Sequence, residues 1–262
     1  TITVLAGTYT LDPAASTLNP ALSLVVGPGT VSINSSQSLA SIAINSGGQV
    51  NVGAGAEYLI RTAGLSIAPG GVMDLGQSDM VISYTGTTPV DTVRQHIFAG
   101  RLITSVNTPA PGHFATLAQV DNNVIRQVSW SGTPISNGTD FNQVIIKHTY
   151  MGDTNLDGQV TAADYLNVIA NQGRTNAQWF DGDFNHDGIV NADDLAQISL
   201  NLGAGIPGGF GPPLMAAATP AAPLAAKPAA AKASPSTAKK SVVHTKPRKP
   251  AKPAHHTPKR RQ

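Results

Sequence analysis

Short runs in which apolar and polar residues alternate, such as Ser41-Ile42-Ala43-Ile44 and Gln49-Val50-Asn51-Val52, recur along residues 1–149 and are separated by glycine pairs. A two-residue period is what a strand with one buried face requires, so this region is predicted to be β. The runs also repeat one another. A shift of 23 residues superposes Ile44 on Ile67, Gly47-Gly48 on Gly70-Gly71, Val50 on Met73, Val52 on Leu75, Gly53 on Gly76 and Leu59 on Ile82. A looser copy puts Val25, Gly29, Val31 and Ile33 in the corresponding places. A repeat of this length suits a short, autotransporter-like β-solenoid, in which each rung buries one side of its strands against the next, and residues 20–84 are read as about three rungs. A β-sandwich of similar hairpins is the alternative.

After Tyr84 the pattern changes. Pro89 to Gly100 carries Val90, Val93, Ile97 and Phe98 on one helical face and ends on a glycine, which predicts a helix near 90–99 that caps the open solenoid end. Two more strands are expected, Val124 to Ser129 and Asn142 to Tyr150. The chain is thus read as a mainly β region over 1–149, a small all-α module over 150–203 and a disordered basic tail over 204–262.

The module carries the clearest chemistry. Calcium takes six to eight oxygen ligands, and a 12-residue loop supplies them from positions 1, 3, 5, 7, 9 and 12, with glycine at 6 for the sharp turn. Two segments fit. In the first, Asp153, Asn155 and Asp157 offer side-chain oxygens, Gly158 turns the chain, Gln159 offers its carbonyl, Thr161 acts through water and Asp164 closes the ring. In the second the same roles fall to Asp183, Asn185, Asp187, Gly188, the Ile189 carbonyl, Asn191 and Asp194. Two calcium ions are therefore expected. Without them the clustered carboxylates repel one another, and the empty loops are expected to be loose.

Each loop is predicted to run into a helix capped by Thr161 or Asn191, with Asp164 and Asp194 in the first turn. Tyr165, Val168, Ile169 and Gln172 share a face in the first helix, and Leu195, Ile198 and Leu202 in the second. No helix enters either loop, so the unit is half an EF-hand, twice. Val160 and Val190, at position 8, are expected to pair between the loops, and Trp179 and Phe180 to fill the small core.

These residues resemble a type I dockerin: tandem Gly-Asp-x-Asn-x-Asp-Gly from Gly152 and from Gly182, valine at the eighth place, aspartate at the twelfth and a following helix. The resemblance implies calcium binding, docking to a cohesin-like protein and a secreted or cell-surface bacterial protein connected with polysaccharide breakdown. Dockerins that contact cohesins carry hydroxyl residues at loop positions 10 and 11 and basic residues farther along the helix. This chain has Ala162-Ala163 and Ala192-Asp193 at those positions, and no Lys or Arg on the helices before Arg174. A different reading is that calcium clamps a surface β-protein that has no cohesin partner.

Composition narrows the remaining functions. No cysteine is present, which removes disulfides and thiol chemistry. The acids outside the loops are scattered; Asp74 and Asp79 read as turn residues, with a meeting on one rung edge as the alternative, and His96, His113 and His148 have no sequence partners. No catalytic residue and no activity are expected of this chain. A chain beginning at Thr1 reads as a processed product or fragment, and no apolar run is long enough for a spanning helix. Eleven of the seventeen bases follow Gly203, with no acid among them, whereas the preceding part sets six bases against fifteen acids. The Ala, Pro and Lys-rich tail is expected to be disordered. Its charge suits an anionic cell-envelope polymer, with nucleic acid or no partner as the alternatives.

Overall fold

The computed structural model of the chain describes residues 1–11, 21–53, 55–107 and 112–205; of the basic tail expected over 204–262, all but Ala204 and Gly205 lies outside them. Residues up to Ser83 coil as a succession of short strands: β1 (Ile2–Val4), β2 (Thr8–Leu11), β3 (Ser23–Val26), β4 (Thr30–Ile33), β5 (Gln37–Leu39), β6 (Ser41–Ile44), β7 (Gln49–Val52), β8 (Leu59–Thr62), β9 (Leu65–Ile67), β10 (Val72–Asp74) and β11 (Asp79–Ser83). Strands of successive rungs pair in parallel, β1-β3-β6-β9 on one face, β2-β4-β7-β10 on the second and β5-β8-β11 on the third. Parallel stacking around a shared interior makes this a β-solenoid of about three turns and rules out the sandwich.

Alternation explains the rungs. In β3, β4 and β6 every second residue is buried, and register places these residues in columns: Val26 beside Ile44 and Ile44 beside Ile67, Val31 beside Val50 and Val50 beside Met73. The 23-residue shift holds on these two faces but not on the third, where Leu59 pairs with Asp79 and Ile82 with Thr62. From Gln49 to Leu59 the chain advances three residues more than between their register partners Val72 and Asp79, so the repeat slips there. In the earlier copy Val26, not Val25, is the residue aligned with Ile44, because Val25 faces outward opposite Ala43. Gly48 sits where the backbones of two rungs touch: a Cβ there would lie 2.6 Å from the Gly27 carbonyl oxygen and 2.7 Å from that of Val26.

The next turn is capped. Helix α1 (Val90–Phe98) buries Val90, Val93 and His96, and the two valines join the solenoid core with Met80 and Ile82. Phe98, expected on the same face, is 60% exposed. Strand β12 (Leu102–Ile103) then adds to β10. The predicted strand at Val124–Ser129 is not formed. Instead β13 (Ala115–Asp121) leads into a short helix, α2 (Asn122–Ile125), capped by Asp121, and a hairpin of β14 (Ser129–Trp130) and β15 (Thr133–Pro134) follows. The predicted second strand is present as β16 (Gln143–Tyr150), buried along its whole length between antiparallel β11 and β13. Two cores result. One fills the solenoid under α1; the other lies on the opposite side of β16, where Ile145 and Trp130 meet Leu156, Val168, Trp179, Phe184 and Ile198. Among the described residues no helix is long and apolar enough to cross a membrane.

Candidate calcium sites

Strand β16 delivers the chain directly into the first loop, and a 3-10 turn (Trp179–Asp181) delivers it into the second. Each loop runs into a helix, α3 (Ala162–Ala170) and α4 (Ala192–Asn201). Thr161 and Asn191 cap these helices, and Asp164 and Asp194 reach back to complete capping boxes. The two halves are near copies, with Asp164, Val168, Asp194 and Ile198 buried at matching places.

The structure brings the first, third, fifth and twelfth positions of each loop into one hydrogen-bonded ring. In loop one, Asp153 Oδ1 accepts from Asp157 N at 3.0 Å, and Oδ2 accepts from Gly158 N at 2.9 Å and from the Thr149 hydroxyl. Asn155 Nδ2 donates to Asp157 Oδ2 at 2.9 Å. Asp164 Oδ1 accepts from Thr154 N and Oγ1 at 3.0 and 2.7 Å, which ties the end of the loop to its start. Loop two repeats the scheme: Asp183 Oδ2 accepts from Gly188 N at 3.0 Å, Asn185 Nδ2 donates to Asp187 Oδ2 at 3.0 Å, and Asp194 Oδ1 accepts from Phe184 N at 2.8 Å. At position 9, Thr161 Oγ1 and Asn191 Oδ1 are engaged as helix caps, accepting from Ala163 N and Asp193 N. At position 7, the Gln159 and Ile189 amides donate to Asp157 and Asp187.

Electrostatics mark the rings as sites of unmet negative charge. Burial pushes the Asp153 carboxyl up to about 7, against the lowering effect of the Thr149 hydroxyl, Lys147 and Gly158 N. Burial pushes Asp183 up to about 6, with Asp194 and Asp187 adding to the rise. Burial also raises Asp194. Asp183 Oδ1 is buried and accepts no hydrogen bond. A buried carboxylate oxygen without a donor is costly unless a cation meets it. Among the described residues no three His, Cys, Asp or Glu side chains cluster as a metal group; in these rings Asn side chains and backbone oxygens must complete the donor set. An all-oxygen set with no imidazole or thiolate fits a hard divalent ion, calcium above all.

Val160 and Val190 do not pair with each other. Val160 N donates to Ala204 O and its carbonyl accepts from Gly203 N, while Val190 N donates to Arg174 O and its carbonyl accepts from Gly173 N, each at 2.8 to 3.0 Å. Each loop therefore grips the exit of the helix that follows the other loop, and Ala204 and Gly205 belong to the module. A family model for the type I dockerin domain matches residues 151–203. Residues 151–203 are a type I dockerin domain. No curated protein and no solved structure matched the chain. Dockerin domains bind calcium, serve protein–protein docking and are typically extracellular.

The dockerin core is larger than the sequence suggested. Trp179 is fully buried with its indole N–H on Asp153 O at 2.6 Å, but Phe184 and Leu156, inside the loops, are buried too, whereas Phe180 is only partly covered. Of the apolar residues on the predicted helix faces Val168 and Ile198 are buried; Ile169 and Leu202, expected beside them, are 43% and 52% exposed. Asp74 and Asp79 are not brought together as a pair. Asp74 accepts from Gly76 N and Ser105 N at the end of β10, while Asp79, in another sheet, accepts from Trp130 Nε1 at 2.7 Å, Ser131 Oγ and His148 N. Four residues outside the predicted ligand set also enter the sites: Thr149, Thr154, Lys147 and Arg94.

Proposed function

We propose that the dockerin loops each hold one calcium ion, through Asp153, Asn155, Asp157, Gln159, Thr161 and Asp164 in the first and Asp183, Asn185, Asp187, Ile189, Asn191 and Asp194 in the second. The module so ordered docks the chain to a cohesin-like partner outside the cell. The duplicated ring, with its buried carboxylates and the unsatisfied Asp183 Oδ1, is the observation that carries the calcium assignment. Docking is supported by the apolar residues left exposed on the helices, Leu166 at 64%, Ile169 at 43% and Leu200 at 62%. The β-solenoid spaces the module from whatever else the protein carries, and no catalytic role is assigned to this chain. The basic tail is proposed to contact anionic cell-envelope polymer, on charge alone.

A second reading is favoured by one observation. The dockerin domain is fastened to the β-body, since Asn201 Nδ2 donates to the Phe114 carbonyl at 2.7 Å and Asn201 Oδ1 accepts from Phe114 N at 2.8 Å. Calcium would then clamp this end of the β-protein as well as present it. Capture of the full chain by a panel of immobilised cohesins, with calcium and with chelator, separates the two. Calcium-dependent retention supports docking; calcium-dependent stabilisation with no cohesin retained supports the clamp alone.

A further inference from the structure

Each calcium loop touches the β-body at the same point of its ring. The fourth residue of loop one, Leu156, has its carbonyl held by Lys147 Nζ at 2.7 Å, and the fourth residue of loop two, His186, has its carbonyl held by Arg94 Nη1 at 3.1 Å. Both fourth residues adopt left-handed backbone, at φ 60° and 63°, a conformation that a side-chain-bearing residue keeps only when its surroundings enforce it. Lys147 comes from β16 and Arg94 from α1, elements unrelated by the loop repeat. Duplication of the loops therefore does not explain duplication of the contact.

Both cations are desolvated for this purpose. Lys147 is 1% exposed, and its ammonium sits 5.7 Å from the centre of the Trp130 ring, in the field of Asp153, Asp79, Asp157 and Glu57. The Arg94 side chain is 12% exposed, and its one ion pair among the described residues is a 3.6 Å contact with the exposed Asp91. The sixth position of loop two also makes room for it: a Cβ at Gly188 would lie 2.8 Å from Arg94 Nη1. Burying a cation beside a loop of like-charged carboxylates offsets their mutual repulsion when no metal is there.

We propose that Lys147 and Arg94 are positioning residues of the two calcium sites, each fastening the fourth carbonyl of its loop to the β-body so that the ring is formed before the ion arrives. The proposal rests on the calcium reading above. In the full chain it replaces the expectation of loose metal-free loops: the β-body supplies the order that calcium supplies in a free-standing half-EF-hand pair.

Amide hydrogen exchange on the full chain tests this, in chelator and in saturating calcium. In chelator, Arg94→Met is expected to speed exchange at Asp187 and Gly188 about tenfold, the loss of one charge-assisted hydrogen bond, while Asp157 and Gly158 keep their rates. Lys147→Met does the reverse. Arg94→Lys, which keeps a donor, retains protection, and calcium restores Arg94→Met to wild-type rates. Because Lys147 is deeply buried and its variant can fail to fold, the Arg94→Met and Arg94→Lys pair decides. Unchanged exchange in loop two of Arg94→Met, or equal loosening of both loops and the solenoid, overturns the proposal and leaves calcium binding standing. A wild-type chain whose loops show no response to calcium sinks the calcium reading and the proposal with it.

Discussion

Replacing Asp194 with alanine removes three roles at once. The carboxylate accepts from Phe184 N and Asn185 N through Oδ1 and from Asn191 N through Oδ2, closes the capping box of α4 and ends the second calcium ring. Without metal, losing these buried charge-assisted bonds costs about 3 kcal/mol, at the upper end of the range for one such group. With calcium at about 100 times its dissociation constant, the lost site removes a further 2.7 kcal/mol, roughly, because an ion that binds only the folded state stabilises it by that amount. Thermal unfolding of the full chain is the assay. At about 2 to 4 °C per kcal/mol for a chain of this size, Asp194→Ala is expected to lower Tm by about 6 to 12 °C in chelator and by nearly twice that in calcium. An equal drop in both media would mean that Asp194 is a helix cap and nothing more, and would refute its role as a ligand.

Other outcomes follow from the same geometry. Gly48→Ala drives a methyl into the Val26 and Gly27 carbonyls and should destabilise the solenoid by about 2 kcal/mol, read by chemical denaturation. Val190→Pro removes the N–H that holds Arg174 O, and should loosen the α3 exit and cut calcium affinity at the second loop, measured by titration. Calcium affinity should fall as pH drops from 7.5 to 5.5: metal-free Asp153 and Asp183 take up protons near 7 and near 6, and below those values the ion must displace a proton, at a cost of up to about tenfold per pH unit. A titration that is flat across this range would contradict the buried, metal-facing placement of both carboxylates.

The rings were legible in the sequence because a calcium loop is a local object: its ligands sit at fixed offsets, and the closing aspartate doubles as the first-turn acid of the next helix. The solenoid was legible for a related reason, since alternation and glycine turns repeat. Where rung corners differ in length the repeat misleads, as at Leu59, which meets Asp79 instead of Ile82. Strand β13 is hidden because both of its faces are buried and Gln119 interrupts the apolar pattern, while Val124–Ser129 has the β-branched Val124, Ile125 and Val128 of a strand yet begins where Asp121 caps a helical turn. The pairing of Val160 with Gly203 and Ala204, and the reach of Lys147 and Arg94 into the loops, depend on the packing of distant segments, and no local spacing encodes them.

Calorimetric titration of the full chain with calcium bears most directly on the central claim. Two ions per chain are expected, falling to one in Asp153→Ala and to one in Asp183→Ala, each variant losing the site that its own loop provides. No heat on addition of calcium, or a stoichiometry that neither substitution changes, would contradict the assignment of these two rings as the metal sites.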